Sequence, residues 1–109
     1  MSDLLDLQRE ALAFRDERDW AQFHNAKDLA AGLSIEASEL LECFLWKDAK
    51  SADPAKLREE LADVIVYALL LAHEAQIDIP QAVRAKLALN ALKYPVDKAK
   101  GRGDKHDNL

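Results

Sequence analysis

Residues 53–75 read Asp-Pro-Ala-Lys-Leu-Arg-Glu-Glu-Leu-Ala-Asp-Val-Ile-Val-Tyr-Ala-Leu-Leu-Leu-Ala-His-Glu-Ala, and this stretch decides the fold. Asp53 is a side chain that caps a helix, and Pro54 fits the first helical position, where its missing N–H leaves no bond unmade. Leu57, Leu61, Val64, Ile65, Ala68, Leu69 and Ala72 then recur at three- and four-residue spacing, as on one helical face. The apolar run Val64–Ala72 lies between Asp63 and His73 and is too short to span a bilayer.

Outward from this helix the same signals repeat. A first helix is expected from about Asp3 to Arg18, with Leu4, Leu7, Ala11 and Phe14 on one side. Asp19 to His24 breaks the period and reads as a connector. Asn25 is the expected cap of a second helix, about Ala26 to Trp46, with Leu29, Leu33, Leu40 and Phe44 as core positions. Residues 47–53 form a polar loop. Pro80 opens a fourth helix that ends near Tyr94-Pro95. No segment alternates apolar and polar residues as a strand does, and there are only three glycines. The expectation is an all-α, four-helix bundle over residues 1–97, with a polar, flexible tail over 98–109.

With 109 residues the chain makes one domain, and half its residues are apolar. A core this small leaves a thin margin of stability, which favours association with further copies. The single cysteine, Cys43, reads as a small core residue in a reducing compartment. The first residues lack a basic segment followed by an apolar run, so no signal peptide is expected. A cytoplasmic protein without a membrane anchor follows. The net charge of −5 disfavours duplex nucleic acid as a partner. Residues 36–63 hold eight acids and four bases, so the acidity sits in the strongest helices.

Two acidic pairs stand out there. Glu36 and Glu39 are three apart on the second helix, and Glu60 and Asp63 repeat the spacing on the third. The short loop makes the helices antiparallel neighbours, which brings the pairs to one level. Both pairs interrupt apolar faces. Carboxylates ~4 Å apart repel by about 4 kcal/mol at an effective dielectric near 20. Four of them stay together only with a cation or with raised pKa values. An all-oxygen set suits a hard cation, Mg²⁺ or, as a substitute, Mn²⁺. By spacing alone the pairs are equally what two solvated helix faces show. A di-iron centre is excluded, because no acid has His three residues on, and there is no Gly-rich phosphate loop. Trp20, His24, Trp46 and Tyr67 are rings near the acids that could hold a nucleobase. As packing residues they need no such role. Lys86, Asn90 and Lys93 share one face of the fourth helix and could hold phosphate oxygens, or simply be solvated.

Taken together, these residues resemble the MazG-like all-α nucleoside triphosphate pyrophosphohydrolases, most closely their dCTP pyrophosphatase branch. The family hallmark E-x2-E, spacer, E-x2-D appears as Glu36-Ala-Ser-Glu39 and Glu60-Leu-Ala-Asp63. Arg18-Asp-Trp-Ala-Gln-Phe-His24, Glu39-Leu-Leu-Glu-Cys-Phe-Leu-Trp-Lys47 and Asn90-Ala-Leu-Lys-Tyr-Pro95 match its flanking segments, so the likeness covers about residues 8–95. The resemblance implies Mg²⁺-dependent cleavage between the α- and β-phosphates of a nucleoside triphosphate, dCTP or a modified pyrimidine, to a monophosphate and pyrophosphate. It carries metal binding onto Glu36, Glu39, Glu60 and Asp63, with Glu36 or Glu39 activating water. It implies a base pocket from Trp20, Trp46 and Tyr67 with His24 beside them, and phosphate contacts from Lys86, Asn90 and Lys93. Homodimers or homotetramers with sites completed across subunits are also implied. Two arginines of the family's closing motif are Ala91 and Leu92 here, so their phosphate contacts are lost or come from Lys98, Lys100 and Arg102. Two other readings stay open: a non-catalytic helical module that binds nucleotides or a protein, and a phosphatase that removes the terminal phosphate.

Overall fold

The computed structural model describes residues 3–105 and residue 107. Met1 and Ser2, at the start of the expected leaderless N-terminus, lie outside the described residues, as do His106 and the last two residues of the expected tail. Among the described residues the protein is all-helical. Its elements are α1 (Leu4–Glu17), a short 3₁₀ turn (Ala21–Phe23), α2 (Ala26–Glu42), α3 (Pro54–Glu74), α4 (Ile79–Lys93) and α5 (Val96–Ala99). No helix of the described residues is long and apolar enough to cross a membrane.

Each long helix starts on a side-chain cap. Asp3 accepts from the Asp6 N–H, Asn25 from Asp28, Asp53 from Ala55 and Asp78 from Gln81, all at 2.8–3.0 Å. Pro54 and Pro80 sit in the first turns of α3 and α4. Two helices end in the same way without a glycine. At the end of α1 the Asp19 N–H donates to the Asp16 carbonyl and the Trp20 N–H to that of Arg15, with Asp19 in the left-handed region at φ 55°. At the end of α3, Gln76 (φ 55°) and Ile77 repeat the pattern onto His73 and Ala72.

The second helix is expected to reach Trp46, but it stops at Glu42. From Cys43 the N–H groups reach back three residues instead of four, Cys43 to Leu40, Phe44 to Leu41 and Leu45 to Glu42, and Trp46 turns left-handed at φ 62°. Cys-Phe-Leu-Trp holds neither Gly nor Pro, so nothing in it announces this stop.

The chain divides into two compact units, Met1–Ile77 and Asp78–Leu109. In the first, α3 packs along α2 and against α1. Gly32 lies against Tyr67 while Glu36 lies against Glu60 and Asp63, so numbers rise along α2 as they fall along α3. The two helices are therefore antiparallel. Leu29, Cys43, Leu69, Leu70 and Ala72 form a small buried core. Cys43 is the small core residue expected; its thiol faces the Glu39 carbonyl at 3.8 Å.

Two polar links tie α1 to α3. Gln8 Nε2 donates to the Leu69 carbonyl at 3.0 Å, and Arg15, only 7% exposed, pairs with Glu74 at 2.9 Å and with Asp16. A guanidinium buried this deeply is tolerated because both carboxylates meet it. The second unit holds α4 and α5. The short α5 covers residues at the border of the expected tail, and its Lys100 N–H closes onto the Val96 carbonyl.

Candidate active site

Antiparallel packing sets the acidic pairs of α2 and α3 side by side. One carboxylate oxygen each from Glu36, Glu60 and Asp63 lies within 4.8 Å of the other two. Glu36, Glu39 and Glu60 are half-buried, while Asp63 is exposed. Glu39 lies outside that group of three oxygens, but its carboxylate is close enough to act on both Glu36 and Glu60.

The electrostatics carry the mark of crowding. Burial first, then Glu39, Asp63 and Glu60, push the Glu36 carboxyl up to about 7. Glu60 is also raised, by burial and then by Glu39. In addition, Glu36 Oε2 and Glu60 Oε2 are buried with no hydrogen-bond partner among the described residues. Buried oxygens normally find a donor. Two that do not, in a cluster where Lys56 acts on Glu60 yet the crowded acids still push Glu36 and Glu60 up, are what a bound metal would satisfy. The donors are all hard oxygens, which fits Mg²⁺ or Mn²⁺ and not a soft-metal site. These residues therefore fit a divalent cation.

Next to the carboxylates lies a small pocket of about 160 Å³. Its walls include Trp20, His24, Tyr67, Phe14 and Arg15, and Asp63 lines it too. Three of the expected ring residues are thus gathered beside an acid of the cluster. His24 Nδ1 is buried without a partner among the described residues, so the protein leaves one ring nitrogen free for hydrogen bonding. Tyr67 owes its place to Gly32: a Cβ there would run into the ring atoms Cδ1 and Cε1. Gly32→Val is expected to force the ring away from α2, lower stability by about 1–3 kcal/mol and raise KM more than it lowers kcat. Urea unfolding and steady-state kinetics on the same samples check both.

The remaining expected residues are not among the lining of this pocket. Trp46 is fully exposed and is not part of the pocket wall. Lys86, Asn90 and Lys93 sit on α4, in the second unit, with both lysines exposed and Asn90 half-buried. From sequence, Phe14 reads only as an apolar-face residue and Arg15 and Gly32 as nothing in particular, yet all three shape the pocket. A glycine inside a helical period is the one signal from which a close approach there could have been read. A second, larger groove of about 700 Å³ runs between α1 and α3, its lining including Leu7, Phe14, Leu61 and Ile65 together with Glu10, Arg58 and Asp63.

Known proteins share much of this sequence and fold. dCTP pyrophosphatase 1 of Bos taurus is 38% identical over 97% of this chain and 68% of its own length. The Homo sapiens protein of that name is 37% identical over 97% of this chain and 67% of its own. A crystal structure of a pyrophosphatase from Archaeoglobus fulgidus superposes with a TM-score of 0.73 at 40% identity, covering 84% of this chain and 89% of the other. Residues 32–109, which include both acidic pairs, match the MazG-like family. With that match and those relatives, the chain belongs to the MazG-like family.

Proposed function

We propose that this chain hydrolyses a deoxynucleoside triphosphate, dCTP or a modified pyrimidine triphosphate, between its α- and β-phosphates, releasing a monophosphate and pyrophosphate. One observation carries the reading: Asp63 belongs both to the carboxylate group and to the wall of the ring-lined pocket. A carboxylate centre that suits a divalent cation, which would in turn meet phosphates, and a flat aromatic pocket that suits a base therefore share a residue. The names of the relatives, dCTP pyrophosphatase 1 and pyrophosphatase, supply the reaction and the base.

In this proposal Glu36, Glu39, Glu60 and Asp63 hold Mg²⁺, with Mn²⁺ as a substitute. The cation these carboxylates would hold would supply stabilisation of the negative charge on the phosphoryl group under attack. Glu36 or Glu39 accepts the proton of the attacking water and aims its oxygen. Trp20 and Tyr67 sandwich the base, and His24 offers its open nitrogen to the base edge. Lys86, Asn90 and Lys93 meet the phosphates. Trp46 completes the pocket of a second copy, in a homodimer or homotetramer of a cytoplasmic protein. The exposed side chains of Trp46, Leu41, Leu45, Leu61 and Ile65 support such an assembly, because a monomer would leave a large apolar surface in water.

The test is product identification. With Mg²⁺ and dCTP, ³¹P NMR is expected to show dCMP and pyrophosphate. Orthophosphate with dCDP would instead mark a terminal phosphatase, and saturable binding without turnover would mark a non-catalytic module.

A further inference from the structure

We infer that Phe14 and Arg18 are positioning residues for Trp20, and that their stack sets the affinity of the site for the base end of its substrate. The inference rests on the reading of the ring-lined pocket as the base site. Trp20 leaves α1 through a left-handed turn and opens the 3₁₀ turn, whose bond from the Phe23 N–H to the Trp20 carbonyl holds the backbone but not the indole. Three features add to that support. Its N–H donates to the Arg15 carbonyl at 3.1 Å, which anchors the backbone. Its ring meets Phe14 edge-to-face, with centroids 5.9 Å apart and planes at 71°. Phe14 is in turn covered by the Arg18 guanidinium, whose central carbon is 3.6 Å from the Phe14 centroid and 6.0 Å from that of Trp20. Arg18 is itself held there, because its Nη1 donates to the Phe14 carbonyl at 2.9 Å.

Guanidinium, phenyl and indole thus form one stack, of which Phe14 and Trp20 line the pocket. Edge-to-face aromatic pairs and cations over rings both attract beyond simple burial. Trp20 is 44% exposed and Phe14 is 51% exposed, so burial alone does not immobilise either ring. The stack pre-orders the indole, and a base then binds without having to fix it. Removing the stack returns that ordering step to the binding event. The loss falls on base affinity and leaves phosphate chemistry alone, since neither Phe14 nor Arg18 belongs to the carboxylate group.

Steady-state hydrolysis of dCTP with Mg²⁺ tests this on Arg18→Ala, Arg18→Lys, Phe14→Leu and the Arg18→Ala/Phe14→Leu pair. Both single removals are expected to raise KM about three- to tenfold with kcat within about twofold. Arg18→Lys should recover part of the loss, because a lysine keeps the charge and not the flat stacking face. The double variant should be no worse than the worse single one, because the members act through one stack. Inhibition by inorganic triphosphate, which has no base, should not change; a general structural defect would weaken it as well. An unchanged KM in Arg18→Ala, additive losses, or weaker triphosphate inhibition would overturn the inference. Trp20→Ala separates this from the underlying reading. If it leaves the KM for dCTP unchanged, the pocket does not hold the base. If it raises KM while Arg18→Ala does not, the pocket stands and the stack has no role in it.

Discussion

Asp63→Asn is expected to lower kcat for dCTP by about a thousandfold while the helices stay folded. Asp63 is exposed and has no packing role that asparagine cannot fill. Its carboxylate is one of three whose oxygens lie within 4.8 Å, and its residue also lines the ring pocket, so in the proposed site it would stand where metal, phosphate and base converge. Asparagine keeps the shape and one oxygen but removes a full charge. Electrostatic groups aimed at charge that develops during reaction are typically worth 10²–10³ in turnover when removed singly, and loss of a metal ligand belongs at the upper end. Circular dichroism of the variant should match the parent. Turnover within tenfold of the parent, with the fold intact, would remove Asp63 from the chemistry.

Glu36→Gln is expected to move stability and activity in opposite directions. In the metal-free protein burial and three neighbouring acids hold the Glu36 carboxyl at about 7, against an ordinary value of 4.5. A carboxyl whose folded pKa lies above its unfolded one favours folding fully only below about 4.5. That contribution is lost as pH rises through 7. The metal-free parent should therefore lose melting temperature between pH 5 and 8, and Glu36→Gln should lose less. At pH 8 the variant is expected to be more stable by about 1 kcal/mol, discounted for partial exposure, or about 4–8 °C for a domain of this size. Mg²⁺ reverses the order. It favours the ionised cluster, so it should raise the parent's melting temperature more at pH 8 than at pH 5.5, and raise the variant's little. Pyrophosphate release by the variant should be abolished. Calorimetric melts at both pH values, with and without Mg²⁺, check the stability half. A variant less stable than the parent at pH 8 without metal would mean that Glu36 is held by favourable contacts, not crowded by like charges.

These opposed effects follow from a feature written openly in the sequence. E-x2-E and E-x2-D need only the helical period and a short loop to meet, and capping by Asn25 and Asp53 announces both helices. The period of α1 and the proline at the start of α4 are equally plain. The stop of α2 at Glu42 is not, because it comes from backbone tightening with no residue that demands it. The left-handed ends at Asp19, Trp46 and Gln76 are hidden for a related reason: each position would ordinarily favour glycine. All three side chains are exposed, so neither a core contact nor local propensity announces these turns.

The pocket divides in the same way. Trp20, His24 and Tyr67 lie far apart in the chain, and their meeting is read from family likeness, not from spacing. Phe14 shares the pocket wall with Trp20 because the turn at Asp19 folds the chain back over α1. That return is set by a single left-handed residue, which a periodicity argument passes over. Gly32 shows the reverse case. Its lack of a side chain is visible in the sequence, but the ring that uses the space sits on another helix, thirty-five positions away.

The most direct test of the account is a Mn²⁺ titration followed by electron paramagnetic resonance, comparing the parent with Glu60→Gln and Asp63→Asn at pH 8. The account predicts saturable binding by the parent, weakened at least tenfold in each variant, with Mg²⁺ competing for the same site. Equal Mn²⁺ affinity in all three proteins would place the metal elsewhere and contradict the claim that Glu36, Glu39, Glu60 and Asp63 form its site.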